Sequence, residues 1–456
     1  MRPRDRARQA RNLCHLLIRA RLARGWNQPE MARRIRNRSQ EMGWPLLTGR
    51  DGVCHWERGR EPDRPTQLVI AAVLGIPPEA VDERPWPQWL AEDPLQRPEP
   101  RPWTRLGALT SLTELAGSAA VDTTRRELIL IAGGTLTATL LAWITADPVA
   151  AGQMATGERI GEAAVARVEA RAAALRHTDD AEGGAEILDE TSSALALVAG
   201  LLSNRSYKDH HGTRLYAVAS DLARQRAAAM LDVYGDCSDT TFDTALRAAR
   251  IAGDDALGAN VLNFWTVSAY NTGRYADAED MASTGLAAVR GRSTPRVEAM
   301  LTSRRGRARA HLGDARCWDD FDRAEALLAE ASGHDDPDWA YWFDEAEVLG
   351  ARASSHRDMG QPGPAAAGFA RVHDLIDPAH VRTTALYTAR QADALLDQGQ
   401  VERACAVADH ALDLTEAISS HRSTAPLLDL TERLKRYEGT PAARDFRERA
   451  HAVLAA

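Results

Sequence analysis

The second half of the chain contains glycines at a nearly regular interval, separated by 38, 40, 47 and 39 residues: Gly235, Gly273, Gly313, Gly360 and Gly399. A small residue lies seven positions before each of them: Ala228, Thr266, Gly306, Ala353 and Ala392. Small side chains let two helices cross closely, and glycine suits the turn that joins them. A repeat with a period of about 20 to 50 residues indicates stacked helical hairpins, which form a solenoid that presents a groove.

The composition favours an all-α fold with more than one domain. Alanine is frequent and aromatic residues make up only 5% of the chain, which suits helices packed through small side chains. Alternating patterns of Val, Ile, Thr and Tyr, which are typical of strands, are nearly absent. A chain of 456 residues is too long for a single hydrophobic core.

The repeat resembles tetratricopeptide (TPR) repeats. The best copy runs from Gly273 to Ala278, with Tyr275 two positions after the glycine and the alanine five positions after it. The resemblance covers residues 215–415 and extends loosely over 160–455. Because the period exceeds the roughly 34 residues of the family, we expect longer hairpins than the standard unit.

The resemblance implies that the first helix of each hairpin lines a concave groove. Counting back from the turn glycines gives these candidate ligand-binding residues: Asn260, Asn263, Tyr270, Asn271, Arg304 and Arg307. The same counting reaches Glu347, Arg357, Arg390 and Asp393 in the later hairpins. Asparagine amides can pair with a peptide backbone, and arginine can hold a carboxylate. The alternative is that these residues form hydrogen bonds between repeats or face water.

Charge is distributed unevenly along the chain. Residues 1–60 contain 15 arginines and five acidic residues, a net charge of +10, whereas the whole chain carries −8. A basic head on an acidic body predicts that the head alone contacts nucleic acid. A solvated arginine-rich tail would give the same charge pattern.

Local signals in the head indicate a compact helical domain. In the segment 27–30, Asn-Gln-Pro-Glu provides an N-cap, a first-turn proline and an N3 glutamate, which together open a helix. The segment 56–59 reads Trp-Glu-Arg-Gly, and an apolar run over 68–76 reads as a buried helix that ends at Gly75.

These segments, with Arg19 to Gln28, resemble the Cro/lambda-repressor type of helix-turn-helix domain. The resemblance implies that the following residues lie near DNA: Gln28, Thr48, Arg50, Asp51, Cys54, His55, Arg58 and Arg60. Arg50 is expected to read guanine through two hydrogen bonds, and Arg58 and Arg60 to meet phosphates. An insert over 36–47 departs from the family pattern and affects the angle of the recognition helix. We predict no metal site, because the neighbours Cys54 and His55 point to different helix faces.

We predict four segments: a helix-turn-helix domain over 1–83, a Pro/Trp-rich linker over 84–120, a helical segment over 121–214 and a TPR-like repeat domain over 215–456. Residues 128–146 carry no charge and predict a buried helix, with a membrane anchor as the alternative. The arginine-rich start lacks the apolar segment of a secretory signal. The five cysteines form no CxxC motif, so we expect neither disulfides nor zinc, and a cytoplasmic location.

The fold class expected from the sequence is all-α, with a small helix-turn-helix domain followed by an α-solenoid of TPR-like hairpins. The function expected is a DNA-binding transcriptional regulator that acts as a homodimer on double-stranded DNA. Its solenoid would sense a peptide, a small ligand or a protein. The alternative is a scaffold or signalling adaptor whose head contacts protein. No catalytic motif is present, so we predict neither enzyme activity nor a cofactor.

Overall fold

The computed structural model describes residues 15–22, 24–57, 60–93, 101–118, 131, 133–145, 159–234, 239–377, 380–415 and 421–454. Within these ranges the chain forms 21 α-helices and no strand, which confirms the all-α prediction. A basic head and a long helical body follow each other along the chain.

The head contains five helices: α1 (His15–Leu22), α2 (Gln28–Glu41), α3 (Arg50–Glu57), α4 (Arg64–Leu74) and α5 (Pro78–Glu83). The predicted start of α2 is confirmed, because the Asn27 side chain accepts a hydrogen bond from the Glu30 amide at 2.9 Å. Gly75 ends α4 in the left-handed conformation, with φ of 74°. Apolar side chains from α1 to α5 form one separate core.

The first ten residues of the predicted linker pack on the head. Trp86 and Trp89 are buried in the head core, and the Trp89 indole donates to the Gln67 amide oxygen at 3.0 Å. A short 3-10 turn at Gln88–Glu92 follows, and Asp93 accepts two hydrogen bonds from Arg24 at 2.6 and 2.7 Å. The head therefore ends structurally near residue 93, because these buried contacts hold the proline-rich segment against it.

The body begins with four helices: α6 (Arg105–Ser118), α7 (Gly133–Thr145), α8 (Glu162–Glu182) and α9 (Gly184–Asn204). Six pairs of helices follow: α10 (Asp209–Tyr234) with α11 (Asp239–Ala252), α12 (Asp255–Asn271) with α13 (Tyr275–Val289), α14 (Pro295–Leu312) with α15 (Cys317–Glu330), α16 (Glu345–Asp358) with α17 (Pro362–Leu375), α18 (Val381–Asp397) with α19 (Val401–Thr415), and α20 (His421–Leu434) with α21 (Pro441–Leu454). Consecutive pairs stack side by side as a solenoid.

Four of the predicted turn glycines lie between the two helices of a hairpin. Gly273, Gly313, Gly360 and Gly399 have φ of 81°, 77°, 77° and 79°, the left-handed region that favours glycine. Gly235 lies outside the described residues. The regular interval in the sequence therefore reports a backbone requirement at the end of each first helix.

Small residues allow the helices of a hairpin to cross closely. A Cβ atom at Gly306 would lie 3.1 Å from Cζ of Phe321 on the opposite helix. A Cβ atom at Gly368 would lie 2.8 Å from Cβ of Ala353. The alanines five positions after three of the turn glycines are fully buried: Ala278, Ala365 and Ala404.

The uncharged stretch 128–146 contains α7, and its first residues and Ala146 lie outside the described residues. The helix is anchored by Trp143, which is 1% exposed. Gly258 of α12 makes room for this ring, because a Cβ atom there would lie 2.4 Å from Cζ2 of Trp143. No helix in the described part of the chain is long and apolar enough to cross a membrane.

Replacing Gly313 with alanine tests the turn. We expect the free energy of unfolding of the full chain to fall by about 1 kcal/mol, because an L side chain is strained at positive φ. Gly363→Ala, near the start of α17 with open space around it, is the control and should raise stability by up to about 1 kcal/mol through helix propensity. Equal responses of the two variants to urea would contradict the role assigned to the turn.

Candidate functional site

Helix α3 presents polar side chains to solvent along one side. Arg50, Asp51 and His55 are exposed and Cys54 is half-buried, whereas Val53 and Trp56 face the core of the head. Arg50 makes no ion pair with any acidic residue that the structure describes.

Beyond α3, Arg60 is also exposed, and Arg58 lies outside the described residues. The alternation of exposed and buried side chains along α3 follows from its helical period. It leaves Arg50 and His55 available to a partner.

Gln28 fixes the position of α3. Its amide donates to Glu57 Oε2 at 2.5 Å, while Arg21 Nε donates to Oε1 of the same carboxylate at 2.6 Å. Glu57 is 7% exposed, so the carboxylate joins α1, the start of α2 and the end of α3 inside the head. Gln28 therefore acts as a positioning residue in the free protein.

The insert between α2 and α3 is fastened to the end of α2. Arg36 donates to the Thr48 carbonyl oxygen at 2.6 Å, and the Ser39 hydroxyl accepts from the Leu46 amide at 3.1 Å. These contacts fix the start of α3 despite the long connection. They leave Trp44 and Leu47 at the surface, 47% and 101% exposed.

In the body, four successive first helices form a pocket of about 440 Å³ that opens to solvent. We call it the arginine pocket; its polar lining residues are Tyr270, Asn271, Arg304, Arg307, Glu347, Thr383, Tyr387 and Arg390. Four of the six predicted ligand-binding residues are among them: Tyr270, Asn271, Arg304 and Arg307. The structure thus brings together helices α12, α14, α16 and α18, as a concave solenoid face requires.

Asn260 and Asn263 lie inside the body and line neither this pocket nor its neighbour. They are 1% and 0% exposed. Asn263 accepts a hydrogen bond from Arg304 Nε at 2.8 Å, whereas neither amide atom of Asn260 has a hydrogen-bond partner among the described residues. Both side chains are buried, so Asn263 orients Arg304 instead of meeting a ligand directly.

Two of the pocket arginines are held by acidic neighbours. Arg304 lies 3.6 Å from Glu347 Oε2, and Arg307 lies 2.8 Å from Asp358 Oδ2. The Arg307 guanidinium also stands over the Tyr270 ring, 5.6 Å from its centroid. Both guanidinium groups are therefore held in place by carboxylates before any ligand enters.

Arg390 differs from these two. Its Nη1 donates to the Ser354 hydroxyl at 3.0 Å, and it forms no ion pair with any acidic residue that the structure describes. Burial, together with the nearby charge of Arg307, lowers the pKa of Arg390 to about 10. Among the described residues, the nearest compensating charge is the Asp358 carboxylate, which is already paired with Arg307.

Tyr387 closes the pocket beside Arg390. Its hydroxyl donates to Glu347 Oε1 at 3.2 Å, and burial raises its pKa, so the hydroxyl stays protonated. The ring lies against Gly350 of α16, where a Cβ atom would be 2.2 Å from Cζ. Glycine at position 350 is what lets the tyrosine reach the groove.

A second pocket of about 870 Å³ adjoins the first and shares Val267, Arg304, Glu347 and Thr383 with it. We call it the aromatic pocket, because the Phe264 and Trp342 rings, with centroids 5.7 Å apart, form part of its wall. Its far side is closed by α8, whose Asp179 accepts two hydrogen bonds from Arg382 at 2.9 and 3.1 Å. Sequence reasoning missed this wall, because these partners are 203 positions apart.

A third polar cluster lies elsewhere on the body. The ligand-type atoms of Glu162, His210 and His211 lie within 4.8 Å of one another. Glu162 already accepts hydrogen bonds from Arg214 at 2.7 Å and shares one with His211 at 3.1 Å. Because an arginine occupies one carboxylate oxygen, the cluster is an ion-pair network in this structure.

Comparison with known proteins gives one match to a family model, described as the SP15 N-terminal domain, over residues 17–76. This segment covers most of α1 and all of α2, α3 and α4. No curated protein matches the chain. The matched segment is a small part of the chain, and the helix-turn-helix and TPR resemblances stay predictions.

Glu57→Ala tests whether the buried carboxylate holds the head together. We expect the free energy of unfolding of the head to fall by about 2–4 kcal/mol, because Arg21 would keep a largely buried charge without its partner. Glu41→Ala removes an exposed carboxylate on the same head and should change stability by less than about 0.5 kcal/mol. Thermal unfolding monitored by circular dichroism measures both, and a loss for Glu57→Ala no larger than the control's would refute the network.

Proposed function

We propose that this protein is a cytoplasmic transcriptional regulator. Its head binds double-stranded DNA through α3, and its solenoid groove binds an effector. The observation that carries the proposal is the exposed Arg50, which forms no ion pair with any described residue. It lies on a short helix whose ends are fixed by Glu57 and by the Arg36–Thr48 contact. A rigidly held helix with a free guanidinium is what reading guanine in the major groove requires.

The charge of the head supports contact with a duplex. Residues 1–60 carry a net charge of +10, and the exposed Arg60 can meet a phosphate. A homodimer follows from the same hypothesis, since heads of this kind read two half-sites that are related by a two-fold axis.

The effector is proposed to act through the turn at Gly273. Gln88 of the head donates to the Gly273 carbonyl oxygen at 3.5 Å, and Arg84 lies 3.6 Å from Asp277. The same turn follows directly on Tyr270 and Asn271, which line the arginine pocket. An effector that binds better when this turn has shifted would release the head, which is a coupling free energy between the two sites.

The adaptor alternative has one observation in its favour. Trp44 and Leu47 stand exposed on the insert beside α3, and large apolar side chains at a surface are a common feature of protein interfaces. In that case the head would bind protein through the insert, and its affinity for DNA would be the same for any sequence.

Selection from a pool of random duplexes with the full chain tests the proposal. For the enriched duplex, Arg50→Ala should lower affinity about tenfold or more while hardly changing affinity for a scrambled duplex. Arg60→Ala should weaken both duplexes and reduce the salt slope by about one. Arg64→Ala, whose side chain is paired with Asp82, is the control and should leave both unchanged.

Fluorescence anisotropy across a salt series measures these affinities. A pool that yields no enriched sequence, or an Arg50→Ala protein that binds the enriched duplex as well as wild type, would reject sequence-specific reading. Trp44→Ser combined with Leu47→Ser would then be tested for loss of a protein partner.

The double variant Arg84→Ala with Gln88→Ala tests the coupling route. We expect the effector-free protein to bind the enriched duplex several-fold more tightly, because two weak polar contacts of about 0.5–1 kcal/mol each no longer hold the head on the body. Arg316→Ala removes a more exposed positive charge at another hairpin and serves as the control. Unchanged or weaker DNA binding by the double variant would argue against this route.

A further inference from the structure

One of the three arginines in the arginine pocket has no ion pair with any described acidic residue. Arg304 faces Glu347 and Arg307 faces Asp358. Arg390 donates to the neutral hydroxyl of Ser354, and the carboxylate that attracts it, Asp358, already pairs with Arg307. A guanidinium withdrawn from water without a counter-charge is costly, and arginine is the side chain best suited to carboxylate and phosphate.

The groups around Arg390 leave it without a carboxylate of its own, because Asp358 is shared with Arg307. Tyr387 beside it is protonated and donates to Glu347, and the Arg307 guanidinium opposes it. The Glu347 carboxylate already accepts a hydrogen bond from Tyr387 and forms an ion pair with Arg304. Arg307 and Arg390 both line the pocket, so an acceptor that enters it can contact both guanidinium groups.

We propose that the arginine pocket receives one anionic group, a carboxylate or a phosphate, with Arg390 as its principal partner and Arg307 as the second cation. This deepens the effector site of the proposed function and rests on it. An apolar portion of the ligand would extend into the adjoining aromatic pocket and contact Trp342, since the Arg224 guanidinium already stands over the Phe264 ring, 4.5 Å from its centroid. The effector is thus an acid or phosphate ester with its charge at one end and an apolar or aromatic portion at the other.

The geometry also predicts how Arg390 affects the stability of the protein without ligand. Since burial and Arg307 both disfavour the charged form of Arg390, removing its charge relieves repulsion in the free protein. A substitution that keeps a hydrogen-bonding side chain, Arg390→Gln, should then leave stability without ligand unchanged or raise it. The same substitution should abolish stabilisation by anions.

The experiment is thermal unfolding of the full chain with phenylacetate, phenyl phosphate, acetate and inorganic phosphate, each against chloride at equal ionic strength. Phenylacetamide is the neutral control. We expect the aromatic anions to raise the melting temperature in a concentration-dependent way by a few degrees, more than acetate or phosphate, and phenylacetamide to have no effect. A stronger response to phenyl phosphate than to phenylacetate, or the reverse, distinguishes the two anion classes.

Arg390→Gln should lose these shifts, Arg390→Lys should keep a weaker shift because it keeps the charge, and Arg403→Gln, on the exposed side of α19, should behave as wild type. Shifts that persist in Arg390→Gln, or the absence of any shift in wild type, would overturn the proposal. An Arg390→Gln protein that is clearly less stable than wild type without ligand would overturn its premise.

DNA binding is measured separately, so the two proposals can fail separately. Arg50-dependent binding of the enriched duplex without any anion response rejects only the anion site. Arg390-dependent anion binding without sequence-specific DNA binding rejects the regulator and keeps the site.

Discussion

The architecture of the body depends on one steric constraint, the close crossing of two helices joined by a left-handed glycine. Glycine or alanine at the crossing points, as at Gly306 and Ala353, lets each hairpin close tightly. Because the crossing repeats with the same geometry, the first helices of successive hairpins fall on one side. That arrangement places α12, α14, α16 and α18 around a common pocket, and removing the constraint from any hairpin would separate its groove residues from the others.

Arginine is the main polar component of this groove, and its pairing decides what the groove can do. Arg382 is held by Asp179, Arg304 by Asn263 and Glu347, and Arg307 by Asp358. These pairs stabilise the wall and leave little free charge there. Arg390 is the exception, because it forms no ion pair with any described acidic residue. The anion site proposed above rests on this difference.

Much of the fold and part of the candidate site could be predicted from the sequence. The helix starts at Asn27 and the turns at Gly273 and Gly399 follow from capping and backbone rules that act over a few residues. The period of the repeat also predicted that Arg304 and Arg390 lie in the groove, since the same helical face recurs at a fixed spacing. The period placed Asn263 in the groove, whereas the structure buries it. The period identifies the inward face of a helix but not how deeply neighbouring helices bury each side chain on it.

The sequence by itself determined the helices, their turns, the basic head and the face of each hairpin that looks inward. Only the tertiary structure decided that residues 84–93 pack on the head, that α8 closes the aromatic pocket and which arginines find acidic partners. The physical reason is the separation along the chain over which each interaction acts. Capping and turn geometry are settled by neighbours in the chain, whereas ion pairs and burial depend on side chains brought together from distant hairpins, as Arg382 and Asp179 are across 203 positions.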